Sequence, residues 1–371
     1  MSSAMRIVIL GLSITSSWGN GHATTYRGLV RALTAWGHDV LFLERDMPWY
    51  AAHRDLPDPP YGQTILYSHL DELFDTYADE VRHADLVIVG SYVPEGVAVG
   101  EWVNDIAHGV TAFYDIDTPV TLAALERGQQ TYISTALIPR YQIYLSFTGG
   151  PVLDLLVRRY GAPVARPLYC AVDPEVHYPE EREPCWDLGY MGTYSADRQP
   201  ALDRLLMQPA RSWPEGHFVV AGPQYPESIE WPDNVQRIEH LPPVEHRGFY
   251  NRQRYTLNIT RRDMIRLGYA PSVRLFEAAA CRTPIISDYW EGLDQFFQIG
   301  REILIAQSRA DIYYYLRDVA EPQRMALAER ARQRVLNEHT SAHRAAQLES
   351  YLAELRRMPA GTVPDGAGAH R

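Results

Sequence analysis

The chain has 371 residues, 46% of them hydrophobic, which is enough for two domains of ordinary size, each with its own core. A formal net charge of -11 and a pI of about 5.6 give no basis for nonspecific attraction to nucleic acid or anionic lipid. Residues 5–12 are apolar but too short to span a bilayer, and no signal-peptide arrangement accompanies them. The expectation is a cytoplasmic protein with no membrane span and no nucleic-acid partner. Cys170, Cys185 and Cys281 are isolated, without C-x-x-C spacing, and read as reduced core residues rather than zinc ligands or a disulfide scaffold.

Arg6–Leu10 reads as a first strand, followed by a loop to Gly21 and a helix whose apolar face is Tyr26, Leu29, Val30, Leu33 and Trp36, closed by Gly37. The loop lacks the G-x-G-x-x-G fingerprint: after Gly19 and Gly21 the third position is Thr24. His22 stands at the helix start, where the dipole favours its neutral form; it fits a general base or a local packing histidine. Asp39–Leu43 is a second strand. Beyond it, Met47–Tyr50 through Pro57–Gly62 mixes aromatics with prolines, fitting either stacking on a sugar or ordinary loop packing. Asp85–Val89 and Val110–Tyr114 are further strands. Asp115-Ile116-Asp117 then spells D-x-D, a spacing suited to Mg or Mn, but alternate strand residues point to opposite faces. Asp117, ahead of Thr118-Pro119, is therefore read as a polar group at the ligand end of the sheet, with no metal.

Tyr144–Phe147 is followed by Gly149-Gly150-Pro151 and a helix to about Tyr160. A second alternating series runs through Leu188–Gly192, His217–Gly222, Tyr255–Ile259, Ile285-Ile286 and Ile303–Ile305, and ends in a helical region from about Pro322 to Met358. His339 and His343 are four apart there, but H-T-S-A-H lacks the Glu of a zinc-protease motif. Continuous apolar strands separated by helices indicate α/β architecture with parallel, doubly wound sheets, and two such halves hold ligands between them.

Two stretches of the second half suit a diphosphate. Gly192-Thr193-Tyr194-Ser195 follows a strand, with Arg198 just before the next helix. In Ala270–Asp288, Pro271 stops the preceding element, Ser272 fits an N-cap, and Val273 and Arg274 fall in the first helical turn, where free N–H groups attract an anion. Glu277, one turn on, is placed for sugar hydroxyls. The same pattern fits an ordinary αβ unit with Arg and Glu at its ends. Arg261 and Arg262 end a strand nearby; one of the two is read as a phosphate contact and the other as structural.

The run Ser272-Val273-Arg274-Leu275-Phe276-Glu277-Ala278-Ala279-Ala280-Cys281-Arg282-Thr283-Pro284 resembles the nucleotide-sugar site of GT-B glycosyltransferases, most closely the group 1 transferases of the spore-maturation, CgeB-like kind. The resemblance implies two Rossmann-like domains facing a central cleft, with a C-terminal helix, here Ala345–Leu355, crossing back. Pro167–Pro179 resembles the interdomain linker, so an acceptor domain is expected over 1–168, a donor domain over 169–358 and a disordered tail over 359–371. It further implies a sugar transferred from a nucleotide-activated donor to an unknown small molecule or glycan. Gly192, Thr193, Arg198, Arg261, Ser272, Val273 and Arg274 would then hold the diphosphate, Glu277 the ribose, and Asp117 with His22 the acceptor side. No metal and no cofactor beyond the donor are expected. Two positions depart from the pattern: Tyr269 replaces a first Glu eight residues before Glu277, and Arg282 replaces the usual Gly. A nucleotide-sugar epimerase and a noncatalytic sugar-nucleotide binder are the alternatives; the failed fingerprint argues against a dehydrogenase.

Overall fold

The computed structural model describes residues 4–19 and 21–357; the expected tail lies outside them. The chain divides into two compact units, Met1–Cys170 with Ser341–Arg371, and Ala171–Thr340.

The first unit holds seven parallel strands: β1 (Arg6–Gly11), β2 (Asp39–Arg45), β3 (Gln63–Tyr67), β4 (Leu86–Gly90), β5 (Val110–Asp115), β6 (Ile143–Ser146) and β7 (Ala165–Pro167), in the order β3-β2-β1-β4-β5-β6-β7. The second holds six, β8 (Trp186–Met191), β9 (Phe218–Ala221), β10 (Val235–Ile238), β11 (Gln253–Asn258), β12 (Ile285–Ser287) and β13 (Leu304–Ile305), in the order β10-β9-β8-β11-β12-β13. Every pairing is parallel. Both orders reverse direction once, between β1 and β4 and between β8 and β11. In doubly wound sheets, ligands bind outside the carboxyl ends of the strands at that reversal.

Central strands read as unbroken apolar runs because helices cover both faces; β4 is buried at every residue. In the first core Tyr26, Leu29, Val30 and Leu33 of the helix His22–Ala35 meet Ile7, Ile9, Val40 and Phe42. Trp36, expected on that face, caps the helix and is exposed.

The expected terminal helical region is two helices, Glu321–Glu338 and Ser341–Arg357, broken at His339-Thr340. His339 and His343 thus sit on different elements, and His339 stacks on Phe276 with ring centroids 4.7 Å apart. Ala345, Leu348 and Leu352 of the last helix enter the first unit's core. That helix is tied down by Arg344, which donates to Tyr169 O at 3.0 Å, and by the Tyr351 hydroxyl, which donates to Pro167 O at 2.9 Å. Gly28 is required at this contact, since a Cβ there would lie 2.2 Å from Ser341 Oγ. Of the cysteines, Cys170 and Cys281 are buried and Cys185 is exposed, so Cys185 is not the core residue its isolation suggested.

Candidate functional site

The second unit concentrates positive charge at its sheet reversal. The turn after β8 begins at Gly192, whose N–H donates to Ala221 O at 2.8 Å. A Cβ at Gly192 would stand 2.6 Å from Tyr190 Oη and 3.0 Å from a terminal nitrogen of Arg274, so only glycine lets the guanidinium come this close. Arg274 donates to Met191 O at 3.0 Å and Ile259 O at 3.3 Å, spanning the ends of β8 and β11. Arg198 is 6% exposed and donates to Thr193 O at 2.5 Å.

Burial, and then the charges of Arg274 and Arg261, pull the Arg198 guanidinium below its usual pKa. None of the three has a carboxylate within ion-pair distance among the described residues, and Nε of both Arg198 and Arg274 is buried without a partner. Asp288, whose field reaches Arg274, turns its two oxygens to the N–H and hydroxyl of Thr260 at 2.9 and 2.8 Å. Arg261 is exposed and caps the short helix Arg262–Leu267, while Arg262 N donates to Asp197 at 2.8 Å. One buried arginine, one half-buried and one exposed thus meet at this reversal without an ion pair among the described residues, although the fields of Asp197 and Asp288 reach Arg198 and Arg274.

The helix Val273–Ala280 starts at the same place. Ser272 occupies the N-cap position in extended geometry, but its side chain makes no capping bond, contrary to the expectation of a serine cap. The N–H groups of Val273 and Arg274 are left without partners among the described residues. Glu277 is 2% exposed, and its Oε2 accepts from Tyr250 Oη at 3.0 Å. His177 and His246, which sequence reasoning did not single out, flank it. They lie 69 and 31 positions apart along the chain from His246 and Glu277 respectively, a spacing that matches no local motif.

Both departures from the family pattern fall at left-handed backbone: Tyr269 at φ 50 and Arg282 at φ 60. Arg282 is the turn residue of a Schellman ending, with Arg282 N donating to Ala279 O and Thr283 N to Ala278 O, each at 2.9 Å. Glycine suits that position because it has no Cβ to clash; arginine there costs about 1–2 kcal/mol.

In the first unit, Asp115 ends β5 wholly buried and accepts from Tyr144 Oη at 2.5 Å and Thr121 Oγ1 at 2.7 Å. Asp117 precedes the helix Thr118–Glu126, and its Oδ2 accepts from Tyr92 Oη at 3.0 Å. The D-x-D carboxylates are thus turned to different partners. His22 meets Tyr92 edge-on, ring centroids 5.2 Å apart, and its buried Nδ1 has no partner among the described residues. Tyr92 holds φ 63, strained for a side chain of that size. So His22, Tyr92 and Asp117 do gather at the β1/β4 reversal. Glu44, ending β2 where a dinucleotide fold presents its ribose-binding acid, accepts instead from Ile14 N at 2.7 Å, Thr15 N at 3.0 Å and Thr15 Oγ1 at 2.7 Å.

Two of these groups titrate in opposite senses. Burial pushes Asp115 up to about 6 from an ordinary 3.8, so the folded state binds its proton more tightly and loses stability as pH rises from 4 to 6. Burial pushes His22 down to about 4 from 6.5, so the unfolded state takes that proton first and stability is lost as pH falls from 6.5 towards 4. The two slopes oppose each other in wild type. Asp115→Asn is expected to steepen acid destabilisation and His22→Gln to reverse it, read from denaturant melts across pH 4–7. Parallel curves for all three proteins would show neither group to be shifted.

With this geometry in hand, similarity to known proteins becomes informative. A family profile described as "Glycosyl transferase-like" matches residues 198–350. Among solved structures, sucrose-phosphate synthase from Thermosynechococcus elongatus superposes with a TM-score of 0.65 at 16% identity, covering 94% of this chain and 98% of that one. HepE of Anabaena, in complex with UDP and glucose, gives 0.67 at 11%, covering 94% and 100%. An alpha-glucosyltransferase in complex with UDP-glucose and DNA containing an abasic site gives 0.69 at 12%, covering 95% and 100%. The chain has the GT-B fold. It is built of two α/β units with parallel sheets, and residues 198–350 match the glycosyl transferase-like profile. No curated protein sequence matches the chain. Among the described residues, no helix is long and apolar enough to cross a membrane.

Proposed function

We propose that this GT-B protein is a glycosyltransferase that takes its sugar from a nucleoside diphosphate donor. The observation that carries the reading is the meeting of buried Arg198, half-buried Arg274 and exposed Arg261 at the β8/β11 reversal, none of them in an ion pair among the described residues. A diphosphate supplies the missing charge, and the free N–H groups of Val273 and Arg274 add donors. Negative charge grows on the leaving phosphate oxygen as the glycosidic bond breaks, and cations already fixed in place stabilise it by several kcal/mol without reorganisation. The step therefore needs no metal at the diphosphate. Glu277, on the same helix, is assigned to the ribose hydroxyls, and Gly192 and Thr193 to the turn that brings backbone against the phosphates.

On the other unit, Asp117 and His22 are assigned to the acceptor. Imidazole kept neutral by burial can accept the proton of an attacking hydroxyl, and Asp117, steadied by Tyr92, can orient it. UDP in the solved GT-B structures favours a uridine nucleotide, and the S-x-R-x-F-E-A-A-A-C-x-T-P run favours the CgeB-like branch. The net charge of -11 favours a small molecule or glycan acceptor over DNA.

The test is a thermal-shift screen of nucleoside diphosphates and sugar nucleotides. A ligand bound only by the folded state raises the melting temperature with its affinity. UDP and UDP-sugars are expected to give the largest shifts. No shift from any nucleoside diphosphate would overturn the reading, and donor turnover without an acceptor would move it to an epimerase.

A further inference from the structure

Glu277 sits at the centre of a second, smaller arrangement. His177 Nε2 lies 3.9 Å from its Oε1 and His246 Nδ1 lies 4.0 Å from its Oε2, and the three ligand atoms fall within 4.8 Å of one another. His246 Nε2 donates to Leu241 O at 3.2 Å, so Nδ1 is the ring nitrogen that faces the carboxylate. His177 is 4% exposed, yet neither ring nitrogen has a hydrogen-bond partner among the described residues. A buried imidazole with both nitrogens unsatisfied calls for a group that the protein chain does not supply.

We infer that His177, His246 and Glu277 bind one divalent transition-metal ion of the zinc or cobalt class. Two imidazoles and one carboxylate are the donors such ions take, and carbonyl- and water-preferring Mg and Ca do not select this set. The outer contacts match as well: Leu241 O fixes the tautomer of one histidine, and Tyr250 donates to the carboxylate. Tetrahedral coordination at 2.0–2.1 Å spaces ligand atoms about 3.4 Å apart, so each histidine closes on the Glu277 carboxylate by roughly half an ångström on binding. The ion would join three separate segments of the second unit: the stretch around His177, the helix Pro243–Asn251 and the helix Val273–Ala280. Three protein ligands leave a coordination position open. Under the donor assignment above, a ribose hydroxyl fills that position, and only this last point rests on that assignment.

The site is tested on the full chain, stripped with chelator and titrated with Co(II) in the absence of nucleotide. Wild type is expected to develop the visible d–d absorption of low-coordinate Co(II), saturating at one equivalent and abolished by Zn(II). Removing a ligand costs at least the 10- to 100-fold that loss of an outer partner typically costs. His177→Phe, which keeps the ring volume without a nitrogen, and His246→Ala are expected to weaken Co(II) at least tenfold. Melting curves of the stripped proteins check folding, and Zn(II) is expected to raise the melting temperature of wild type but not of His177→Phe. Absence of the d–d band in wild type, or equal Co(II) affinity in folded His177→Phe, would overturn the inference whether or not UDP binds.

Discussion

Arg198→Met weakens UDP binding by about 1.5–3 kcal/mol, roughly 10- to 150-fold, while the unliganded variant melts no lower than wild type. The two halves of this expectation come from the same feature. Arg198 is buried beside Arg274 and Arg261 with no carboxylate in ion-pair contact and only the field of Asp197 to offset it, so without ligand its charge is costly. Against that, the variant loses one hydrogen bond to Thr193 O, which contributes about 0.5–1.5 kcal/mol. Methionine keeps much of the packing of the stem, so the balance favours equal or greater stability without ligand. With diphosphate bound the sign reverses, because the charge that was uncompensated is now paired. Calorimetry with UDP and thermal melts of the empty proteins separate the two effects. A lower melting temperature with unchanged UDP affinity would make Arg198 a bolt for the Thr193 turn, and the donor site would have to be sought elsewhere.

Glu277→Gln lowers UDP affinity by about 1–3 kcal/mol and also reduces the preference for UDP over its 2′-deoxy analogue. The carboxylate can accept from both ribose hydroxyls, whereas the amide keeps one acceptor oxygen and turns a donor towards the other hydroxyl. Volume is conserved and Tyr250 retains an acceptor if the carbonyl faces it, so the fold is expected to change little. Measuring wild type and variant with both ligands closes a cycle in which only a contact between residue 277 and the 2′-hydroxyl yields a coupling energy. All four measurements are made in chelator, so a metal at His177 and His246 does not enter them. Zero coupling with equal affinity would remove Glu277 from the ribose; failure of the variant to fold would make it a structural partner of Tyr250.

Several site residues were legible because their signals are local. Ser272 to Pro284 is one short helix bounded by Pro271 and Pro284, and the positions of Val273, Arg274 and Glu277 follow from 3.6-residue geometry alone. Gly192 and Arg198 stand on either side of a single turn. The strands without a clear sequence signal, β3, β7 and β10, are short and lie at sheet edges, where most residues are only half-buried and the apolar run that marks a central strand is absent. Arg282 could be seen to depart from the glycine pattern, but only the backbone shows the left-handed turn that explains the glycine.

By itself, then, the sequence determined two doubly wound units, the helix that starts at Ser272, and the candidate arginines, since periodicity, capping residues and prolines act over a few neighbours. Tertiary structure decided which charges go uncompensated, which carboxylates are spent, and which histidines meet. Glu44 carries the chemistry of a ribose-binding acid, yet the chain folds Ser13–Thr15 onto it. Asp115 and Asp117 spell a metal motif, yet Tyr144, Thr121 and Tyr92 divide them. His177 and His246 carry no motif and converge on Glu277 all the same. The physical reason is common to all three: the electrostatic state of a buried group is set by atoms within about 4–6 Å in space, and in a doubly wound fold those atoms come from strands and helices far apart along the chain.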